Sequence, residues 1–182
     1  MEIRIVLPNI KEQEDLFAKF PAQARQAMSL TINEGIRKAR TEIKKGVAKA
    51  YNIKSGTVLS YLKKEFPAYS SPGDLLGLLH VESERVAVAD FGAKEKKPAG
   101  ISFEEVKGQQ SHMPHAFEAG LKSGHHGIFG RIDGTARLRI REITGDSIPQ
   151  MIENIKSEVY WQTEVEHYVG QRFQHQVDRL LR

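Results

Sequence analysis

Between Pro21 and Ala50 the apolar residues Ala24, Met28, Ile32, Ile36, Ala39, Ile43, Val47 and Ala50 recur at intervals of three and four. That spacing brings each side chain back to one side of a 3.6-residue period, so it predicts a single helix of about seven turns with one apolar stripe. Lys38, Lys45 and Lys49 fall off the stripe, toward water.

The remaining elements are arranged around this helix. "EIRIVL" reads as a short alternating strand ahead of a turn at Pro8, and Ser55 is placed to cap a second short helix running to about Glu65. "FPAYSSPG" breaks that helix. From residue 74 to 144 the chain changes character. "DLLGLLHVES", "RVAVADFG", "GISFEEVK", "HAFEAGL", "GIFGRI" and "ARLRIREI" are short, apolar or β-branched, and bounded by Gly, Pro, Ser or Lys, so they read as strands of a small antiparallel sheet. "GAKEKKPAG" reads as a charged, exposed loop. The last stretch, 147–182, is a helix with a marked start. Ser147 and Gln150 have the spacing of a capping box, and Pro149 sits in the first turn, where a missing N–H costs nothing. Ile148, Ile152, Ile155 and Val159 form a stripe that Val165, Tyr168, Val177 and Leu181 resume. A long N-terminal helix and a long C-terminal helix flanking a small, mainly antiparallel sheet is an α+β architecture. At 182 residues, one domain spanning 1–182 is the default.

Composition narrows the function classes. No run approaches the roughly 20 apolar residues a membrane helix needs, and "MEIRIVLPNIKEQEDLF" has acidic residues too close behind its apolar start for a signal peptide. The chain has no cysteine, which removes disulfides, thiol catalysis and cysteine-ligated zinc together and fits a reducing compartment. The net charge of +4 is mild, but it is unevenly spread. Residues 21–66 carry ten Lys/Arg against Glu34, Glu42 and Glu65, a balance of +7, whereas 145–182 carry four basic and six acidic groups, a balance of −2. Opposite signs at opposite ends suit packing within the chain or head-to-tail contact between copies.

The densest chemistry lies in "HMPHAFEAGLKSGHHGIFGR", residues 112–131, with four histidines and four glycines. His112, His115, His125 and His126 are the only candidate metal ligands. Their spacing matches no helical zinc signature, and adjacent residues on a strand point to opposite faces. The plainer expectation is a hairpin in which "GLKSGHHG" connects two strands, its glycines supplying the positive φ of tight turns. Phe117 and Phe129 then anchor the arms to the core, and Arg131, two residues beyond Phe129, shares its face and pairs with an acidic neighbour. No Gly-x-Ser-x-Gly elbow occurs, Glu104 and Glu105 stand on opposite sides of any strand, and "GRIDGT" lacks the lysine and spacing of a nucleotide loop. The expectation is a chain with no catalytic residues and no cofactor.

A rival reading lies in "GVAKAYNIKSGTVLSYLKK", residues 46–64, which has the outline of a helix-turn-helix: Ala48 and Ala50 in a first helix, Asn52 at the turn, and Thr57, Val58 and Leu62 in a second helix with lysines behind. A basic second helix of that kind enters a DNA major groove. Against it, the preceding stripe runs unbroken from Met28 to Ala50, which makes the first helix about twice the usual length for such a motif.

Three stretches taken in order, "LTINEGIRKARTEI", "HAFEAGLKSGHHGIFGR" and "RLRIREITGDSIPQMI", resemble the phage minor tail protein Z family, the tail completion proteins of lambda-like phages and prophages. The resemblance covers about residues 22–182: a long first helix, a basic short helix, a central sheet in which Ala116-Phe117 leads through Lys122-Ser123-Gly124-His125 to Ile128-Phe129 and Arg131, and a helix start at Gly145, Ser147, Pro149 and Gln150. Two positions depart from the family's usual pattern: Leu138-Arg139-Ile140 stands where Leu-Pro-Ile is usual, and Asp146 stands where proline is usual.

The resemblance implies a non-catalytic virion component that acts in tail completion and head–tail joining. Its expected partners are other tail or head–tail connector proteins and further copies of itself. Its expected place is the virion tail, and the host cytoplasm during assembly, with no membrane partner. Arg37, Lys38, Lys44, Lys45, Lys49, Lys63, Lys64 and Arg131 are the candidate interaction surface, and the basic face is also a candidate for non-specific contact with the genome end.

Overall fold

The computed structural model describes residues 1–5, 7, 18, 21–62, 64–66, 77–96, 100–132, 139–155 and 161–180. The elements run β1 (Glu2–Ile5), α1 (Pro21–Ala50), α2 (Ser55–Tyr61), β2 (Lys64–Phe66), β3 (Gly77–His80), β4 (Arg85–Ala87), a 3-10 turn (Val88–Phe91), β5 (Lys94–Lys96), β6 (Gly100–Glu104), β7 (Gln110–Met113), β8 (Phe117–Gly120), β9 (His126–Arg131), β10 (Ile140–Glu142), β11 (Thr144–Ser147), α3 (Ile148–Ile155) and α4 (Trp161–Leu180). The fold is α+β, with long helices toward both ends of the sequence and small antiparallel sheets between them.

The chain folds into two compact units. One gathers Met1–Lys44, Leu59–Glu82 and Lys156–Arg182; the other gathers Lys45–Val58 and Ser83–Ile155. The chain therefore passes from one to the other four times, and both long helical segments expected from the sequence are shared out between them. The expected C-terminal helix is described as α3 in the second unit and α4 in the first, with 156–160 outside the described residues.

The first unit is built on α1. Ala24, Met28, Ile32, Ile36, Ala39 and Ile43 are buried as the periodicity requires, and Ala27, Thr31 and Gly35 widen the covered face. Each such isoleucine contributes about 1.5–3 kcal/mol relative to exposure. Thr31, buried inside this face, returns its hydroxyl to the Ala27 carbonyl at 2.9 Å, so it leaves no polar group unmet. A three-stranded antiparallel sheet, β1–β3–β2, pairs Glu2 with His80 and Lys64 with the same His80. Three elements meet at Gly35: a Cβ there would lie 2.6 Å from Val169 Cγ2 of α4 and 3.0 Å from Ile5 Cγ2 of β1. α4 buries Val165, Val169, Phe173 and Val177, a stripe at intervals of four. Arg172 of α4 donates to both carboxylate oxygens of Glu34 on α1, the second bond at 2.7 Å, and Lys38 lies 5.7 Å from the centre of the Tyr168 ring.

The second unit holds three small antiparallel sheets, β4–β11, β5–β6–β7 and β8–β9–β10. Val88, Ile101, Phe103, Ala116 and Ile128 form its core, with Ala93 and Ile143 packed against them. The central strands of the expected sheet are present, but β3 belongs to the first unit, and the strands β5 and β7 lie where a loop and no element were expected. The end of α1 is tied into this unit through its backbone. Tyr51 bridges Val106, Lys107 N–H donates to Ala50 O at 2.9 Å, and Asn52 N–H donates to Glu105 O at 2.9 Å. A polar cluster reinforces the tie: Asn154 donates to Tyr51 Oη at 3.0 Å and to Asp146 Oδ2 at 3.2 Å, while Asp146 N–H donates to Glu105. Burial pushes the Tyr51 phenol above its ordinary pKa.

The helix start at 147 is as read. Ser147 N–H donates to Gln150 Oε1 at 2.9 Å, and Gln150 N–H reaches back to Ser147 Oγ at 3.4 Å, the reciprocal bonds of a capping box. α3 then buries Ile148, Met151, Ile152 and Ile155. Among the described residues no helix is long and apolar enough to cross a membrane.

Candidate functional site

The hairpin expected at 112–131 is present, and its histidines are spread along it. β8 and β9 pair with Phe117 opposite Phe129 and Gly120 opposite His126. Leu121 N–H donates to His125 O at 2.7 Å and Gly124 N–H to Leu121 O at 2.9 Å, which closes the turn. Only one glycine of the hairpin serves the positive-φ role expected of all: Gly124, at φ +84°. Gly120 and Gly127 make room instead. A Cβ at Gly120 would lie 2.6 Å from Cε1 of the His126 ring, and one at Gly127 would meet Glu142 and the His125 ring. The absent side chains leave room for these groups against the strands.

Each imidazole has a separate setting. His112, on β7, shares a hydrogen bond of 3.0 Å between Nδ1 and Ser102 Oγ on the neighbouring strand. His115 takes the left-handed conformation, φ 64°, in the turn after β7. His125 Nε2 lies 2.9 Å from Glu142 Oε1, and its ring meets the Phe129 ring edge to face at 6.3 Å. His126 covers Gly120. Among the described residues no three His, Asp or Glu side chains come together in a way that could hold a metal, so the structure does not gather His112, His115, His125 and His126 into a site. Phe129 is buried, Phe117 half-buried, and the Arg131 guanidinium lies 5.5 Å over the Phe117 ring.

The basic candidates fall into separate groups. Arg37, Lys45 and Lys49 are exposed on α1, Lys44 is half-buried, and Lys38 is held by Glu42 at 3.0 Å. Lys63 lies outside the described residues, and Lys64 belongs to strand β2 rather than to a helix. Arg131 ends β9. The expected recognition helix is also shorter than read. α2 is the seven residues SGTVLSY, with no Lys or Arg in it and Val58 buried. The helix before it is bound by its backbone to the 105–107 segment.

Sequence reading missed a groove beside the hairpin. It is an open cavity of about 690 Å³ in the second unit, and its described lining includes Arg85, Arg131 and Arg141 together with Met113, Ile132 and Ile143. Met113 and Ile132 are 37% and 38% exposed. Its lining comes from β4, β7, β9, β10 and their flanks, and no local motif joins those segments.

Comparison with family models, curated proteins and solved structures finds no match to this chain.

Proposed function

We propose that this chain is a structural minor tail protein of a phage or prophage. In this reading it acts in tail completion and head–tail joining and works through contacts with other tail or connector proteins and with further copies of itself. It is placed in the virion tail, and in the host cytoplasm during assembly. The observation that carries the reading is the hairpin. The segment richest in reactive side chains uses its imidazoles for packing and cross-strand hydrogen bonds, so it shapes a surface. The ordered motifs of the resemblance fall on α1, on the β8–β9 hairpin and on β10 through α3, each a defined element.

Charge gives the contacts a direction. The ion pair joining α1 to α4 takes its acid, Glu34, from the basic segment and its base, Arg172, from the acidic one. That pair leaves the +7 and −2 balances of the two segments unspent, so complementary faces of successive copies can meet, the heterologous geometry of a ring or collar. Exposed Arg37, Lys45 and Lys49 also suit non-specific contact with phosphates of the genome end. The helix-turn-helix alternative over 46–64 draws no support from a seven-residue α2 without a basic side chain.

Native mass spectrometry tests the proposal, on the chain alone and with the tail protein encoded beside it. A complex of fixed stoichiometry with that protein is the expected result. A monomer that ignores the tail protein but shifts a defined DNA duplex would overturn it.

A further inference from the structure

Among its described lining residues the groove of the second unit sets Arg85 and Arg141 with the aliphatic side chains of Met113, Ile132 and Ile143. Arg141 pairs with Gly130 across β9 and so lies on the opposite face of β10 from its neighbour Glu142, whose carboxylate holds His125 at 2.9 Å. The side chains of Arg85 and Arg141 are exposed and make no hydrogen bond or ion pair among the described residues. Of the aliphatic lining, Met113 and Ile132 stand more than a third exposed. Gly130 also lines the groove, and a Cβ there would reach only ordinary contact, 3.5 Å from Ile143 Cδ1. β10, which carries Arg141, has a strand neighbour on one side only among the described residues.

From these features we infer that the groove docks an extended polypeptide segment of a partner protein in which acidic and aliphatic side chains alternate. The period of two in an extended chain sends its aliphatic groups to the aliphatic lining and its carboxylates to the guanidinium groups. Arginine suits the carboxylates because its planar fork holds both oxygens at once. A nucleic-acid backbone fits less well. It would engage the guanidinium groups and leave the aliphatic lining in water, and among the described lining residues no aromatic side chain offers a base a surface to stack on. The inference deepens the assembly reading by naming a surface and its partner's chemistry, and it rests on that reading only for where the partner is met.

A displayed library of random peptides, selected against the full chain, tests it. Enriched peptides are expected to alternate Asp or Glu with Leu, Ile or Val. Their affinity should fall by about tenfold or more in the double variant Arg85→Glu, Arg141→Glu, and also in Gly130→Leu, which fills the groove beside Ile143. Circular dichroism checks that each variant is folded. If Gly130→Leu does not fold, the arginine pair decides alone, because both residues are exposed. Enrichment without that pattern, or affinity untouched by the variants, overturns the inference. So does a fluorescent oligo(dT) probe that binds through these arginines while no acidic, aliphatic peptide is enriched. Such a failure would leave the complex expected in native mass spectrometry untouched, so the two proposals fail separately.

Discussion

Single residues carry the packing of this chain, and its glycines show how. Gly77 on β3 faces Ile32 and Ile36 of α1 so closely that a Cβ would overlap both side chains. Both isoleucines are buried and cannot swing away, so Gly77→Ala should lower stability by about 1–3 kcal/mol. Gly56 on α2 has nothing within 4 Å of the same added atom. Gly56→Ala should therefore be neutral or raise stability by about 0.5 kcal/mol through the unfolded chain alone. Urea denaturation of the two variants separates the cases, and equal effects would contradict the packing described. The sequence could not distinguish these glycines, because what differs is a neighbour some 40 positions away. The same holds in the hairpin: positive φ was readable for Gly124, but the room that Gly120 makes for His126 depends on cross-strand register.

At the level of elements, legibility followed periodicity. α1 was readable from end to end because its stripe persists over many turns, and α3 was readable because its capping box is local. The strand QSHM, β7, was not, since all four residues are exposed and no alternation marks it. β7 and β5 are strands because β6 lies between them and supplies their hydrogen bonds. The groove escaped notice for a related reason: its arginines come from β4, β9 and β10, and only the fold brings them together.

The α1–α4 contact also has a pH signature. The Arg172 guanidinium bonded to Glu34 holds that carboxyl below its ordinary pKa. A lowered folded-state pKa means the contribution is present above the unfolded value and is lost as pH falls through the folded one. Glu34→Gln should therefore flatten the loss of stability on acidification from about pH 5 downward, and leave the neutral and alkaline range with the same slope. An acid limb identical to that of the parent chain would contradict this role for the pair.

For the whole molecule, the claim is that charge and shape outlive the fold as means of contact. Reversing Lys44, Lys45 and Lys49 to glutamate should weaken self-association at low salt and matter little at high salt, where exposed charges are screened. Sedimentation velocity at two ionic strengths reads this directly; unchanged behaviour would remove the basic segment from the contact. Assembly itself is tested most directly in the genome that encodes the chain. Its reading frame is deleted, the host is treated with an agent that induces prophages, and the lysate is viewed by electron microscopy. Full heads and separate tails, joined again when the chain is supplied in trans, are the predicted result. Intact particles at the parental titre, or no phage particles from either strain, would contradict it.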